Sequence, residues 1–416
     1  MIFLGGKVMK IWKKMALGSA AVLAAMSLAA CSNGSSDSSS SSNTSSKKAN
    51  LTLWVDTEQV PYYKQIAKDF TEKNKNIKVR VVQSPNGSAN AKTDVGKDPS
   101  KAADVFEVPN DQLGQMAEAG YINPLSPEAT KDIKANYIDV ASKGVTWKNK
   151  VYAFPYAQQA QTMYYNKSKL SAEDVKDWKT LTSKGVVATD FTNAYVMWPV
   201  MFSAGTKLYG ANGEDLKGST FDSQNGVNAL KWYAAQKNNK GVMQTSNALN
   251  QLKEGHAQAI LDGPWNAANI KKILGKNFAV AKYPKIEVGG KSVQMEAFLG
   301  IEGFAVNSNT KNAKAASELA AYITNKKAQL IAHKEAGQIP VLKTAVNSSA
   351  VKNDPVAEAV IEMAKPGNSV LQPKLPQMAT FWNESAPLIS GTYDGKIKPS
   401  QYKAKLAKLQ KDISKK

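Results

Sequence analysis

The sequence predicts an α/β protein built as more than one domain-sized body, and three observations carry that expectation. The chain of 416 residues is longer than a single hydrophobic core usually organises. Apolar residues make up 43% of it, with 8 Trp, 15 Tyr and 11 Phe, enough for sizeable cores and for an aromatic surface besides. Short β-branched or aromatic runs alternate with stretches of helical periodicity, the pattern of a mostly parallel sheet covered by helices.

The elements follow in order. Residues 51–55, which include Leu53 and Trp54, read as a strand, and residues 62–73 as a helix with Ile66, Ala67 and Phe70 on one side. Residues 77–82 alternate as a second strand, 103–108 form a third, and a helix spans 111–119. A second α/β series begins after residues 151–155. It holds helices at 225–237 and 248–255 and a strand at 257–261, and helices at 313–325, 356–365 and 399–413 complete the body. Residues 289–292 imitate the end of a phosphate-binding loop, but Lys285 stands where its first glycine belongs. Flanked by apolar alternation on both sides, Gly289 and Gly290 read as a hairpin turn. No repeat of solenoid length is present.

The N-terminus carries its own message. The apolar stretch 15–30 is short for a membrane span, which needs about 20 apolar residues. Lys7, Lys10, Lys13 and Lys14 precede it and Leu28, Ala29, Ala30 and Cys31 close it, the order of an export signal. Met9, followed by Lys10, Ile11, Trp12, Lys13 and Lys14, is the expected translation start, with Met1 the alternative. Cys31 is the one cysteine in the chain, so no intramolecular disulfide forms, and the alternative to a dedicated role is a free or buried thiol. The Leu-Ala-Ala-Cys run resembles the lipobox of bacterial lipoproteins, which implies that Cys31 is lipidated and becomes the mature N-terminus, anchored at the outer face of the cell membrane. Two acyl chains anchor durably where one is marginal. Residues 32–48 are mostly Ser, with Asn, Gly, Asp and Thr44 and a closing Lys pair, a flexible tether with a reach of roughly 20–25 Å. The division expected is a signal peptide at 1–30 and a lipidated cysteine with tether at 31–50.

Charge and histidine count exclude several functions. The net charge of +20 invites a nucleic-acid reading. Export argues against it, and Arg80 is the only arginine, whereas base and phosphate readout lean on the guanidinium fork. No nucleic-acid partner is expected. His256 and His333 are the only histidines and lack metal-ligand spacing, so no metal or cofactor is expected. No Gly-x-Ser-x-Gly elbow appears. A carboxylate pair for glycoside hydrolysis stays open, because the separation of two carboxylates belongs to the fold.

The most informative segment is 252–265. A helix ends at Gly255, a buried strand follows, and Gly263 and Pro264 turn the chain so that Trp265 stands at the strand's carboxyl end, where open α/β sheets bind ligands. With Leu53, Trp54, Asp111, Gln112, Leu113, Gly114, Tyr165, Asn166 and the run from Pro376 through Gln377 and Met378 to Phe381 and Trp382, the chain from residue 51 onward resembles the solute-binding proteins of carbohydrate ABC importers. Within them it is most similar to the maltose and maltodextrin-binding branch.

The resemblance implies a two-lobed periplasmic-binding-protein-like fold with discontinuous lobes, a hinge and an interlobe cleft. One lobe is expected at 51–158 plus 302–345 and the other at 159–301 plus 346–416, crossing near Gln158, Gly300 and Val346. It further implies a monomeric, non-enzymatic receptor that hands malto-oligosaccharide to permease transmembrane subunits. Glucose rings have apolar faces and a hydroxyl rim, so they are held by aromatic platforms and planar polar groups. The resemblance assigns Tyr195, Trp265 and Trp382 as platforms, Asp111 as a hydroxyl acceptor, Glu58 and Gln159 as polar contacts, and Phe304 as a further aromatic. The alternative for each aromatic is an ordinary place in a core. Gln159, Gln112 and the pair Asn193 and Ala194 depart from the best-known family pattern, which leaves the preferred sugar open. A different oligosaccharide, or a glycoside hydrolase, are the alternatives.

Overall fold

The computed structural model describes residues 48–415. The export signal, Cys31 and the tether up to Lys47 lie outside the described residues. The strands in chain order are β1 (Ala49–Val55), β2 (Ile77–Gln83), β3 (Val105–Pro109), β4 (Thr146–Trp147), β5 (Lys150–Val151), β6 (Ala153–Ala160), β7 (Thr162–Asn166) and β8 (Val187–Thr189). They continue with β9 (Val242–Gln244), β10 (Ala259–Asp262), β11 (Phe278–Ala281), β12 (Lys285–Val288), β13 (Lys291–Gln294), β14 (Ala297–Val306), β15 (Ile339–Pro340) and β16 (Ser369–Leu371).

Two sheets organise the body. The larger runs β15-β6-β14-β3-β1-β2 with β16 beside β14, and the smaller runs β11-β7-β10-β8-β9. The chain passes from one to the other between Ala160 at the end of β6 and Thr162 at the start of β7. Both sheets are mixed, which corrects the expectation of mostly parallel pairing. Strands β1, β2 and β3 pair in parallel. The long strand β14 joins β3 and β6 antiparallel, because it enters the large sheet from the side of the second one. Near Gly300 it changes partner, pairing with β16 through Leu299 and with β3 from Glu302 onward.

Local sequence explains the elements that frame the cleft. Strand β1 alternates buried and more exposed positions, and the helix Val60–Lys73 lays Tyr62, Tyr63, Ile66, Ala67 and Phe70 onto the core. Each such fully buried large apolar side chain contributes about 1.5–3 kcal/mol of transfer free energy. Strands β6 and β14 are buried along nearly their whole length, as strands covered on both faces are. The glycine pair read as a turn does join β12 to β13, with φ of 61° at Gly289 and 77° at Gly290, the positive pair that a two-residue hairpin turn requires.

One long helix has no counterpart among the expected elements. Met378–Tyr393 runs through sixteen residues with Pro387 inside, although proline removes a helical hydrogen bond, here to the carbonyl of Asn383, and tends to break a helix. Burial of Met378, Phe381, Leu388, Ile389 and Tyr393 outweighs that loss, and Asn383 lies on the exposed face, where water can satisfy its carbonyl.

Candidate functional site

A cavity of about 670 Å³ opens where the ends of strands β1, β3, β6 and β10 meet the middle of β14. That volume lies within the ~300–1,000 Å³ common for small-molecule sites. Its lining is aromatic on one side, from Tyr195, Trp265 and Trp382, and polar elsewhere, from Asp56, Glu58, Glu107, Asp111, Glu302 and several Gln side chains.

The aromatic wall is built by three elements. Asn193 caps the short helix Ala194–Met197, its Oδ1 accepting from the Tyr195 backbone N–H at 3.0 Å. The Tyr195 ring stacks on the buried Phe298 at 5.8 Å and 15°. Trp265 and Trp382 stand 6.1 Å and 6.3 Å from Tyr195. Trp265 is 40% exposed, the one exposed large hydrophobic side chain among the described residues. A tryptophan face left open at the edge of a cavity, beside two further aromatic rings, offers a flat apolar platform to a ligand. Its position depends on Gly263, where an added Cβ would lie 2.1 Å from the indole ring. That close approach gives the glycine of the Gly-Pro-Trp run a physical reason.

The polar groups come from strand ends and first helical turns. Asp111 occupies the first turn of the helix Asn110–Glu118, where a carboxylate suits the helix dipole. The Trp382 indole N–H donates to its Oδ2 at 3.0 Å, tying that helix to Met378–Tyr393 across the cavity. Burial pushes the Asp111 carboxyl above its ordinary range, and the indole bond pulls against that shift. Glu58 lies exposed in the turn Thr57–Gln59, and Gln159 sits half-buried on β6 opposite Gly300. Gln112 fixes the cavity's edge, accepting from the Lys92 backbone N–H at 2.8 Å and donating to the Ala89 carbonyl at 2.6 Å.

Six of the seven residues named from the sequence therefore line one cavity: Glu58, Asp111, Gln159, Tyr195, Trp265 and Trp382. Phe304 does not, and the expectation that it faces the site is corrected. It is fully buried, with its ring 5.2 Å from Tyr63 and 5.1 Å from Tyr156. Along β14 the cavity-lining positions are Gly300 and Glu302. Beyond them the helix Val60–Lys73 seals the sheet with Tyr63.

Sequence reading missed Glu107 and Glu302. Both are acids set in otherwise apolar strands, and both are buried and line the cavity. An acid inside a run buried on both faces is the signal that could have found them. Burial pushes both carboxyls well above the ordinary range; the charge of Asp56 adds to the shift of Glu107, and Glu107 and Asp111 add to that of Glu302. Among the described residues Lys92 is the only basic one lining the cavity, against Asp56, Glu58, Glu107, Asp111 and Glu302. Of the two histidines, His256 is exposed beside Gln251, and His333 is buried with Nδ1 3.0 Å from the Gln338 carbonyl; neither lines the cavity.

Comparison with known proteins agrees with this architecture. Residues 65–359 match the family model described as bacterial extracellular solute-binding protein. The galactooligosaccharide-binding protein of Bacillus subtilis (strain 168) is 28% identical, covering 94% of this chain and 95% of the relative. A maltooligosaccharide ABC transporter solute-binding lipoprotein of Streptococcus pneumoniae (strain TIGR4) is 27% identical, covering 93% and 95%. The solved structure of a maltodextrin binding protein, MalE1, from L. casei BL23 without ligand superposes with a TM-score of 0.85 and 67% identity, over 88% of this chain and 99% of that one. With its two sheets, the cleft between them and a family match over most of its length, the chain belongs to the bacterial extracellular solute-binding proteins and has their two-lobed periplasmic-binding-protein-like fold.

Proposed function

We propose that the protein captures malto-oligosaccharide in this cleft and delivers it to the permease subunits of an ABC-type importer, without chemical conversion of the sugar. The observation that carries the reading is the cavity wall of Tyr195, Trp265 and Trp382 facing carboxylates and amides. Flat aromatic faces match the CH faces of glucose, and acceptors at the rim match its hydroxyls. The 67% identity to a maltodextrin binding protein supports that sugar class. Membrane attachment through Cys31, with the body on a tether outside the cell, completes the proposal and rests on the lipobox resemblance. Hydrolysis of ATP then belongs to other chains.

The B. subtilis relative named for galactooligosaccharide favours a second reading, the same cleft holding a galacto-oligosaccharide. A thermal-shift panel separates the two, because a ligand bound to the native state raises the unfolding midpoint by mass action. Maltotriose and maltotetraose are expected to raise it and galacto-oligosaccharides to leave it in place. The opposite pattern transfers the function to the second reading. Release of glucose or maltose from maltoheptaose by purified protein, abolished by Glu58→Gln or Asp111→Asn, would instead make it a hydrolase.

A further inference from the structure

The floor of the cleft holds two acids that the chain itself does not satisfy. Glu107 on β3 and Glu302 on β14 lie on neighbouring antiparallel strands, and Phe304 is the register partner of Glu107. Glu302 is therefore its diagonal neighbour on the same face. They are 2% and 7% exposed, and both line the cavity. Oε1 of Glu107 already accepts two hydrogen bonds, from the Tyr156 hydroxyl and from Gln59 Nε2 at 3.3 Å. Oε2 of Glu107, Oε2 of Glu302 and Oε1 of Gln59 have no partner in the structure.

The surroundings offer these oxygens no counter-charge. Among the described residues the groups that act on the pair, from the segment after β1, the helix Val60–Lys73, β6, the helix Asn110–Glu118 and the short helix Ala194–Met197, are Asp56, Glu58, Tyr62, Tyr63, Tyr156, Asp111 and Tyr195, every one an acid or a phenol. Lys92 lines the cavity but makes no described ion pair with either glutamate. Two buried carboxylates cannot both stay ionised under these conditions. The pair holds a proton at neutral pH. Since Oε1 of Glu107 is committed as a double acceptor, a proton on that residue resides on Oε2, a donor with nothing to donate to. A hydroxyl group is the complement of that arrangement, accepting from one acid and donating to the other.

We propose that Glu107 and Glu302 form a hydroxyl-reading pair at the floor of the cleft, which seats one sugar ring and selects rings whose hydroxyls reach it. The proposal rests on the malto-oligosaccharide reading and deepens it. Two features distinguish it from ordinary polar lining. The pair acts only while it keeps its proton, and it is a burden on the unliganded fold because its oxygens stay unpaired.

The test is maltotriose titration calorimetry on the soluble body of the parent, Glu302→Gln and Glu107→Gln, at about pH 7 and about pH 9.5, with urea unfolding of each without sugar. Parent affinity is expected to fall at least about tenfold between the two pH values, since each unit above the raised pKa costs up to tenfold. Glu302→Gln is expected to weaken binding about tenfold or more at neutral pH while unfolding no more easily than the parent. Glu107→Gln keeps a donor at every pH, so the ratio of its affinities at the two pH values is expected to collapse toward one. A parent profile flat with pH, or variants that titrate like the parent, overturns the pair's role. A parent that binds no maltotriose at either pH overturns the malto-oligosaccharide reading instead, and with it the ligand assigned to the pair.

Discussion

At the scale of single residues, the two tryptophans of the cleft carry different loads, and substitution should separate them. Removing a stacking platform costs about 2–4 kcal/mol of binding, roughly thirtyfold or more in affinity. Both Trp265→Ala and Trp382→Ala are expected to show that loss in maltotriose titration. Trp382 is also packed at 4.9 Å from Phe381 and 5.2 Å from Phe298, whereas Trp265 is largely open. In urea unfolding Trp265→Ala should cost under about 1 kcal/mol and Trp382→Ala more, though less than the ~3–5 kcal/mol of a core tryptophan. Normal binding by either variant removes that tryptophan from the site. Gly263→Ala is a subtler probe, because its methyl would drive the Trp265 ring from its place. Affinity should drop with little change in unfolding. The buried acids act on stability with a definite sign. Burial raises the carboxyl of Glu302 above its unfolded value, so the folded state holds the extra proton. The cost is absent below the unfolded pKa and grows as pH rises toward the folded one. Glu302→Gln should therefore gain stability over the parent as pH rises above the unfolded carboxyl range, the advantage growing with pH. An advantage that shrinks as pH rises would contradict the burial argument.

At the scale of elements, what was legible in the sequence follows from where local pattern and tertiary demand agree. Strand β1, the helix Val60–Lys73 and the hairpin β12–β13 were readable because alternation, amphipathic spacing and paired glycines each specify one local structure. The helix Met378–Tyr393 was not readable, since Pro387 argues against it locally and only burial of its apolar side overrides that. Antiparallel entry of β14 was invisible for a similar reason. Its residues state that it is a buried strand, while the direction of its neighbours is decided by the return of the chain from the other lobe. Tyr195, Trp265 and Trp382, named through the motifs that hold them, do line the cavity. Glu107 and Glu302 were overlooked, and Phe304 was wrongly included, because a strand's sequence does not say how far along it the cleft ends. One packing contact between elements can be tested directly. The helix Asn110–Glu118 approaches the chain at Lys374 so closely that a Cβ on Gly114 would lie 2.0 Å from the Lys374 carbonyl oxygen. Backbone cannot yield as a side-chain tip does, so Gly114→Ala should destabilise by about 1–3 kcal/mol in urea unfolding. An unchanged midpoint would show that the two segments separate freely.

At the scale of the whole molecule, the chain passes from the large sheet to the small one between β6 and β7 and is back in the large sheet at β14, so the cleft lies between two lobes that share more than one crossing. Trp382 and Asp111 already touch across it. A sugar that binds both walls is fully bonded only when they close on it, so ligand should shift the population toward a closed form. Small-angle scattering with saturating maltotriose is expected to show a smaller radius of gyration than without it, and an unchanged radius would argue that the closed form already dominates or that closure does not occur. The most direct measurement of the central claim is calorimetric titration of maltotriose into the purified body, alongside a galactose-based trisaccharide of the same size. The proposed function predicts saturable binding of maltotriose at one site per chain, lost in Trp382→Ala, and no heat from the galactoside. Saturation by the galactoside with none by maltotriose would contradict it.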